Sequence, residues 1–248
     1  MKIAENVEML EISMNMLGVE SKIFPTIIWD DNNMILFDAG LPGAIKTIKD
    51  EITKARLSFD KINEIIVTHT DIDHIGGIPD IQGELDHKVY VLAHKDDKLF
   101  IEGEKKLNKI TPERMAQLQE KIMNLPEDQG KEMLEMLQNP PKANVDKLLD
   151  DGTELPYFGG IVVIHTPGHT PGHICLYLKK SKILIAGDLL NIVDGELIGP
   201  YPHNTPDMEA AINSIKKFSN YDIEKIVCYH SGLYTSNPNK RLHELAEK

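Results

Sequence analysis

A chain of 248 residues with 41% hydrophobic and 27% charged side chains has the makeup of a globular protein able to bury a sizeable core. Its 39 acidic against 27 basic residues give a formal charge of −12, which speaks against nucleic acid as a partner, and no apolar run approaches the roughly 18 residues of a membrane span. The acidic balance still admits an anionic small substrate, because bound metal ions are strong local positive charges.

The N-terminus, MKIAENVEML, carries Glu5 and Glu8 where a secretory leader would have a basic stretch and an apolar run, so a cytoplasmic location is expected. Ile23 to Trp29 and Met34 to Phe37 read as strands joined by the turn Asp30-Asp31-Asn32-Asn33. A break at Asp38-Ala39-Gly40 precedes a helix over Ala44 to Ala55, with Ile45, Ile48 and Ile52 at helical spacing. Strands follow at Ile62 to Val67 and Lys88 to Ala93, with Gly76-Gly77 and Pro79 marking a short helical turn between them.

Residues from about 95 to 147 are rich in Lys, Glu, Met, Leu and Gln and read as a helical insertion. Thr111-Pro112-Glu113 is a good helix start, Met115, Leu118, Ile122 and Leu125 fall on one face, and a second helix from about Glu127 to Leu137 is stopped by Asn139-Pro140-Pro141. Its Met-rich face suits simple packing, a substrate entrance or a homodimer contact, and the pattern does not choose among them. Strands resume at Ile161 to Ile164, Ile174 to Leu178, Ile183 to Ala186 and Ile226 to Tyr229, with helices over Pro206 to Phe218 and Pro238 to Glu247. Cys175 and Cys228 lie in apolar runs and read as buried small hydrophobes, not as a disulfide framework. Strands interleaved with helices along the whole chain predict one α/β layered domain over residues 1–248.

Within that frame the stretch Ile65 to Gly77, IIVTHTDIDHIGG, concentrates the chemistry. His69, Asp71, Asp73 and His74 follow a buried strand within six positions, and all four side-chain types bind divalent metals. The plain alternative is a polar loop whose aspartates cap a following helix. Three further strand ends deliver ligand-type residues: His169 in the rigid run His165 to His173, Asp188 after ILIAG, and His230 after IVCY. One such event is weak evidence, whereas four in one chain point to a site built at the edges of sheets.

The runs Thr68 to His74, Pro167-Gly168-His169-Thr170, Gly187-Asp188 and the late His230 resemble the motifs T-H-x-H-x-D-H, P-G-H-T, G-D and a final His of the metallo-β-lactamase superfamily. The resemblance covers nearly the whole chain except the helical insertion, and it implies a four-layer αββα sandwich of two mixed sheets flanked by helices. Carried over residue by residue, it implies a first metal held by His69 and His169, a second held by Asp73, His74 and His230, and Asp188 bridging both. Asp71 stands where most members have a histidine. A carboxylate can coordinate zinc at nearly the distance of an imidazole, so Asp71 is read as a ligand, the other reading being a single-metal protein.

With Asp71 ligating, two divalent cations, three carboxylates and a bridging hydroxide cancel formally, so the centre depresses the pKa of its water less than a histidine-rich one. Zinc is the expected ion, with manganese or iron drawn in by the added oxygen ligand. The implied activity is that of a metal-dependent hydrolase in which a metal-bound hydroxide attacks a small ester, thioester or lactone and Asp73 handles the proton. The rival is a di-iron redox protein resembling the metal domain of flavodiiron proteins, which also place a carboxylate at that position. A third reading makes the metals structural and the helical pair a docking surface. His94 is expected to be packed or solvated, His87 and His243 to lie on the surface, and His165, His173 and His203 to flank the site. Of the tyrosines suited to donate to an oxyanion, Tyr201, Tyr229 and Tyr234, the first and last are expected to project from loops.

Overall fold

The computed structural model describes residues 1–16, 19–106 and 112–247. Strands from the first 149 residues form one sheet: β1 (Lys2–Ala4) and β2 (Val7–Met9), then, after a separate hairpin of β3 (Ile12–Met16) and β4 (Val19–Ile23), β5 (Thr26–Trp29), β6 (Met34–Phe37), β7 (Glu64–Ile66), β8 (Tyr90–His94) and β9 (Lys147–Leu149). Neighbours are antiparallel from β1 to β6 and parallel from β6 to β9. The second sheet contains β10 (Glu154–Leu155), β11 (Ile161–His165), β12 (Ile174–Leu178) and β13 (Ile183–Ile185). After the small hairpin of β14 (Asn191–Val193) and β15 (Glu196–Ile198), it is completed by β16 (Lys225–Cys228), parallel to β13, and β17 (Gly232–Tyr234).

Parallel neighbours need a crossover, and helices supply each one. α1 (Ile45–Lys54) links β6 to β7; α2 (Ile72–Ile75) and α3 (Ile78–Glu84) link β7 to β8. α4 (Lys95–Ile101), α5 (Pro112–Met123) and α6 (Glu127–Gln138) lie between β8 and β9, α7 (Met208–Lys216) between β15 and β16, and α8 (Pro238–Ala246) closes the chain.

Side chains alternate between the faces of a strand, and here both faces are buried, so the strands read as nearly continuous apolar runs. In the first sheet Leu36, Ile65, Val67 and Val91 point outward to Ile48 and Ile52 of α1, Ile78 and Ile81 of α3 and Ile101 of α4. Ile35, Phe37, Ile66 and Leu92 point inward, against Val163, Ile174, Leu176, Ile185 and Val227 of the second sheet. That sheet's other face, with Ile164, Cys175, Leu184 and Cys228, packs on Ala211 and Ile215 of α7 and Leu242 and Leu245 of α8. The order is therefore helix, sheet, sheet, helix, as the resemblance implied.

Both cysteines are fully buried, and burial pushes the Cys175 thiol up to about 12. In the helical segment α4 belongs to the outer core of the first sheet, while α5 and α6 pack on each other with Ile122 buried between them. Of the helix start at Thr111-Pro112-Glu113, Thr111 lies outside the described residues. Tyr234 departs from expectation: it sits on β17 and is buried in the core beneath α8, because β17 pairs with β16 where a loop was predicted. No described helix is long and apolar enough to cross a membrane.

Candidate metal centre

The parallel strand β7 ends at Ile66, and the chain leaves its carboxyl end as Val67-Thr68-His69 before turning into α2. Asp71 occupies the N-cap of α2 but makes no capping hydrogen bond. Its Oδ2 lies instead 3.0 Å from His169 Nε2 and 3.4 Å from His69 Nε2, so this aspartate faces the cluster and does not serve the helix. His169 comes from the Pro/Gly turn between β11 and β12, Asp188 from the exit of β13 and His230 from the exit of β16. Three carboxyl ends of strands and one inter-strand turn thus converge at one edge of the sandwich.

The seven side chains gather into two adjoining groups. His69, Asp71, His169 and Asp188 bring one ligating atom each within 4.8 Å of one another, and so do Asp73, His74 and His230. Asp188 lies between the groups: its Oδ2 is 3.5 Å from His169 Nε2 and 3.1 Å from His230 Nε2, and its Oδ1 is 3.2 Å from His74 Nε2. Asp73 Oδ2 lies 3.4 Å from His230 Nε2. His69 Nε2, His74 Nε2 and Asp188 Oδ1 are buried and find no hydrogen-bond partner among the described residues. Buried polar atoms of native proteins are otherwise almost always satisfied, so unspent lone pairs converging on one spot fit divalent cations in both groups.

Electrostatics agree. Burial, reinforced by the neighbouring His74, holds the His69 imidazole well below its usual range, which leaves it neutral with a lone pair to give. For Asp188, burial would favour the neutral form, but His230 and His74 outweigh it and hold the carboxyl well below the usual carboxylate range. Burial opposes the charged form of His74 too, yet Asp38, Asp188 and Asp73 draw it well above its usual value.

The supporting contacts fix these side chains. Asp38, buried and in a left-handed conformation (φ 60°), accepts hydrogen bonds from Thr68 N and Thr68 Oγ1, both at 2.8 Å, and lies 2.9 Å from His74 Nδ1. The proton is thereby placed on Nδ1 and His74 Nε2 turned to the cluster. His173 Nε2 accepts from the Asp188 backbone amide at 3.1 Å, which in the neutral ring puts its proton on Nδ1, facing Thr166 Oγ1 at 2.8 Å. Tyr229 is buried against His74, ring centroids 3.9 Å apart, and its hydroxyl donates to Asp73 O at 2.5 Å.

Asp97, on α4, has no counterpart in the sequence reading. Its carboxylate is 1% exposed and accepts from Thr70 N at 3.0 Å, Thr170 Oγ1 at 2.7 Å and Gly172 N at 2.6 Å. It therefore ties the loop of His69 and Asp71 to the turn of His169. Burial raises its carboxyl despite those three donors. A Cβ at Gly172 would lie 2.4 Å from Asp97 N, so only glycine admits the approach.

His94 is buried, as the packed reading expected, and stacks on His165 at 3.9 Å and 10°. With Asp96 these two form another group of ligand-type residues. Face-to-face rings set their lone pairs side by side instead of onto a common ion, however, and His165 Nε2 donates to Pro171 O. His87 is exposed, with its Nε2 2.8 Å from Ile62 O, and His243 lies on the surface of α8.

A cavity of about 190 Å³ opens on His169, Asp188 and His230 and is bounded further by Asn191, Tyr201, His203, Asn204 and Thr205. Tyr201 projects from a loop beside it, as expected. A larger groove of about 710 Å³ beside α7 and α8 shares no residue with the cluster.

Comparison with known proteins agrees with this geometry. The model of the metallo-beta-lactamase superfamily matches residues 21–230. The chain is 29% identical over 232 residues to the probable metallo-hydrolase YflN of Bacillus subtilis, covering 88% of this chain and 83% of that one. It is 26% identical over 220 residues to the hydroxyacylglutathione hydrolase GloC of Haemophilus influenzae, covering 85% and 86%. Among solved structures, a metallo-beta-lactamase family protein from Thermus thermophilus superposes with a TM-score of 0.70 at 21% identity, over 99% of this chain and 80% of that one, which shows the shared fold.

Proposed function

Because the chain belongs to the metallo-β-lactamase superfamily and is one of its metallo-hydrolases, we propose that it holds two divalent ions and cleaves a small ester, thioester or lactone. The observation that carries this reading is Asp188, set between two groups of ligand-type side chains, with its Oδ1 toward His74 and its Oδ2 toward both His169 and His230. When bound, the ions polarise the scissile carbonyl and make a water nucleophilic near neutral pH.

The chain's own residues then have distinct tasks. His69, Asp71 and His169 hold the first ion, Asp73, His74 and His230 the second, and Asp188 both. Asp73 would orient the attacking water and relay its proton to the leaving group. Asp38 and His173 keep His74 and Asp188 aimed. With Asp71 a third carboxylate, zinc remains the expected ion and manganese or iron the alternatives.

The relative named as a hydroxyacylglutathione hydrolase supports including thioesters. The redox alternative gains no support from relatives bearing hydrolase names. We take the substrate to be a small molecule met in the cytoplasm. Exposed Met123, Leu134 and Leu137 mark where a homodimer contact through the helical segment would form, which sedimentation would detect.

The test is turnover of a panel of thioesters, lactones and phosphodiesters by protein loaded with zinc, manganese or iron, with metal measured on the same samples. Chelator-sensitive hydrolysis of acyl substrates is expected. Protein carrying two ions per chain that cleaves none of them contradicts the reading.

A further inference from the structure

The stacked pair His94 and His165 lies outside the metal cluster, yet both of its ends lead to the loops that carry it. His94 is the N-cap of α4: its Nδ1 accepts from Asp96 N at 3.3 Å, and the residue is 2% exposed. In the neutral ring that contact leaves the proton on Nε2. His165 ends β11, and its Nε2 donates to Pro171 O at 2.8 Å. Its backbone is pinned twice, the N–H donating to Asp151 Oδ1 at 2.7 Å and the carbonyl accepting from Lys217 Nζ at 2.6 Å.

These contacts close a circuit. Three positions along α4 from His94 stands Asp97, whose carboxylate holds Thr70 N, Thr170 Oγ1 and Gly172 N. Gly172 adjoins Pro171, which His165 holds, and His165 returns to His94 through rings 3.9 Å apart and 10° from parallel. Thr70 stands between His69 and Asp71, and Thr170 follows His169. The cap and the stack thus fix the turn of helix that sets the Asp97 carboxylate.

Only neutral rings can do this. A proton on His94 Nδ1 takes the acceptor away from Asp96 N and puts a charge beside the free N–H groups of the first turn and against His165. The surrounding charges are committed elsewhere or exposed. Asp96 Oδ2 lies 3.7 Å from His94 Nδ1 but is 48% exposed, Lys95 pairs with Asp150 at 2.6 Å, Lys217 with Asp151 at 3.0 Å, and Asp97 already accepts from three donors. Burial first, and His165 next, hold the His94 imidazole below its usual range. On acidification the unfolded chain therefore takes up its proton before the native one does, and stability held in the pair is lost as pH falls below about 6.5.

Resting on the metal-centre reading above, we propose that the His94–His165 stack is a positioning clasp: while both rings are neutral it holds Asp97, and through it the loops of His69, Asp71 and His169, and acid opens it. Neither ring takes part in bond breaking.

The experiment measures zinc dissociation constants by competition with a chelating dye, at about pH 7.5 and about pH 5.5, for wild type, His94→Ala and His94→Asn. Protonation of the ligands weakens all three alike, so it cancels in their ratios. His94→Ala is expected to bind roughly tenfold more weakly than wild type at the higher pH and within about twofold of it at the lower, because the protonated ring neither caps nor stacks. His94→Asn caps without titrating, so it stays within about threefold of wild type at the higher pH and binds more tightly than wild type at the lower. Should His94→Ala fail to fold, that reversal for His94→Asn carries the test. A His94→Ala ratio near one at the higher pH, or the same ratio at both, overturns the clasp. Amide exchange at Thr70 and Gly172, corrected for intrinsic rates, gives a reading that needs no metal: protection is expected to fall with pH more steeply in wild type than in His94→Asn. That pattern in protein that binds no zinc sinks the metal centre alone, whereas tight zinc binding with equal exchange profiles sinks only the clasp.

Discussion

The two loops that carry most of the ligand-type side chains are secured in different ways. The loop from Thr68 to His74 is held from within its own sheet, by Asp38 at the end of the neighbouring parallel strand β6. The turn from His165 to His173 belongs to the second sheet, yet its tie runs to Asp97 of α4, next to β8 of the first. One anchor fixes a ligand inside a sheet and the other fixes one sheet's ligands against the other's. A cluster assembled across two sheets therefore depends on buried acceptors that lie outside the cluster itself.

Removing what both loops share should have the largest effect. Asp188→Ala takes away the carboxylate between the groups, and kcat/KM for any acyl substrate is expected to fall by at least about 10³-fold, with metal content below one ion per chain. Retention of activity within tenfold would show that the two groups work independently. Asp71→Ala should cost the first ion selectively, while Asp71→His keeps two ions and shifts competition experiments toward zinc over manganese.

Asp97→Ala separates the loops. It leaves Thr70 N, Thr170 Oγ1 and Gly172 N without their acceptor, each worth about 1–3 kcal/mol when buried. The expected result is a marked fall in melting temperature together with about 10–100-fold weaker metal binding. Asp38→Asn keeps an oxygen facing Thr68 and His74 Nδ1 but removes the charge, and should weaken metal binding by roughly tenfold. If Asp38→Asn proves more damaging than Asp97→Ala, the contrast between the anchors is wrong.

The smallest effect lies away from both loops' ligands and serves as a control. Cys175 donates to Ala186 O at 3.3 Å in the outer core, and burial pushes its thiol up to about 12. Above pH 9 the unfolded chain loses this proton and the native chain keeps it, so the native state binds more protons and stability falls as pH rises toward 12. Each pH unit in that window removes at most about 1.4 kcal/mol. Cys175→Ala should flatten the alkaline arm of a urea-unfolding series without altering metal content, and a slope equal to wild type would count against the buried thiol.

The ligand-type residues that the structure brings together were legible because His and Asp at the ends of apolar strands are few and chemically distinctive. Asp38 was visible only as part of a turn, since its role lies in a contact 36 positions away in the chain with His74. Asp97 left no trace at all, because its partners Thr170 and Gly172 are 73 and 75 positions distant and an aspartate in a helical stretch reads as a solvated face. Strands of three residues such as β1, β2 and β14 are shorter than the window over which alternation can be recognised. Tyr234 was misplaced for the same reason, on a strand of three residues. Tyr229, whose buried ring packs on His74, was legible as a strand residue but not as a support.

The most direct test of a two-ion centre with Asp71 among its ligands is equilibrium dialysis of the wild-type chain against zinc, counting ions per chain. Two ions bound, falling to one in Asp71→Ala, is the predicted result; a wild type that saturates at one ion would contradict it.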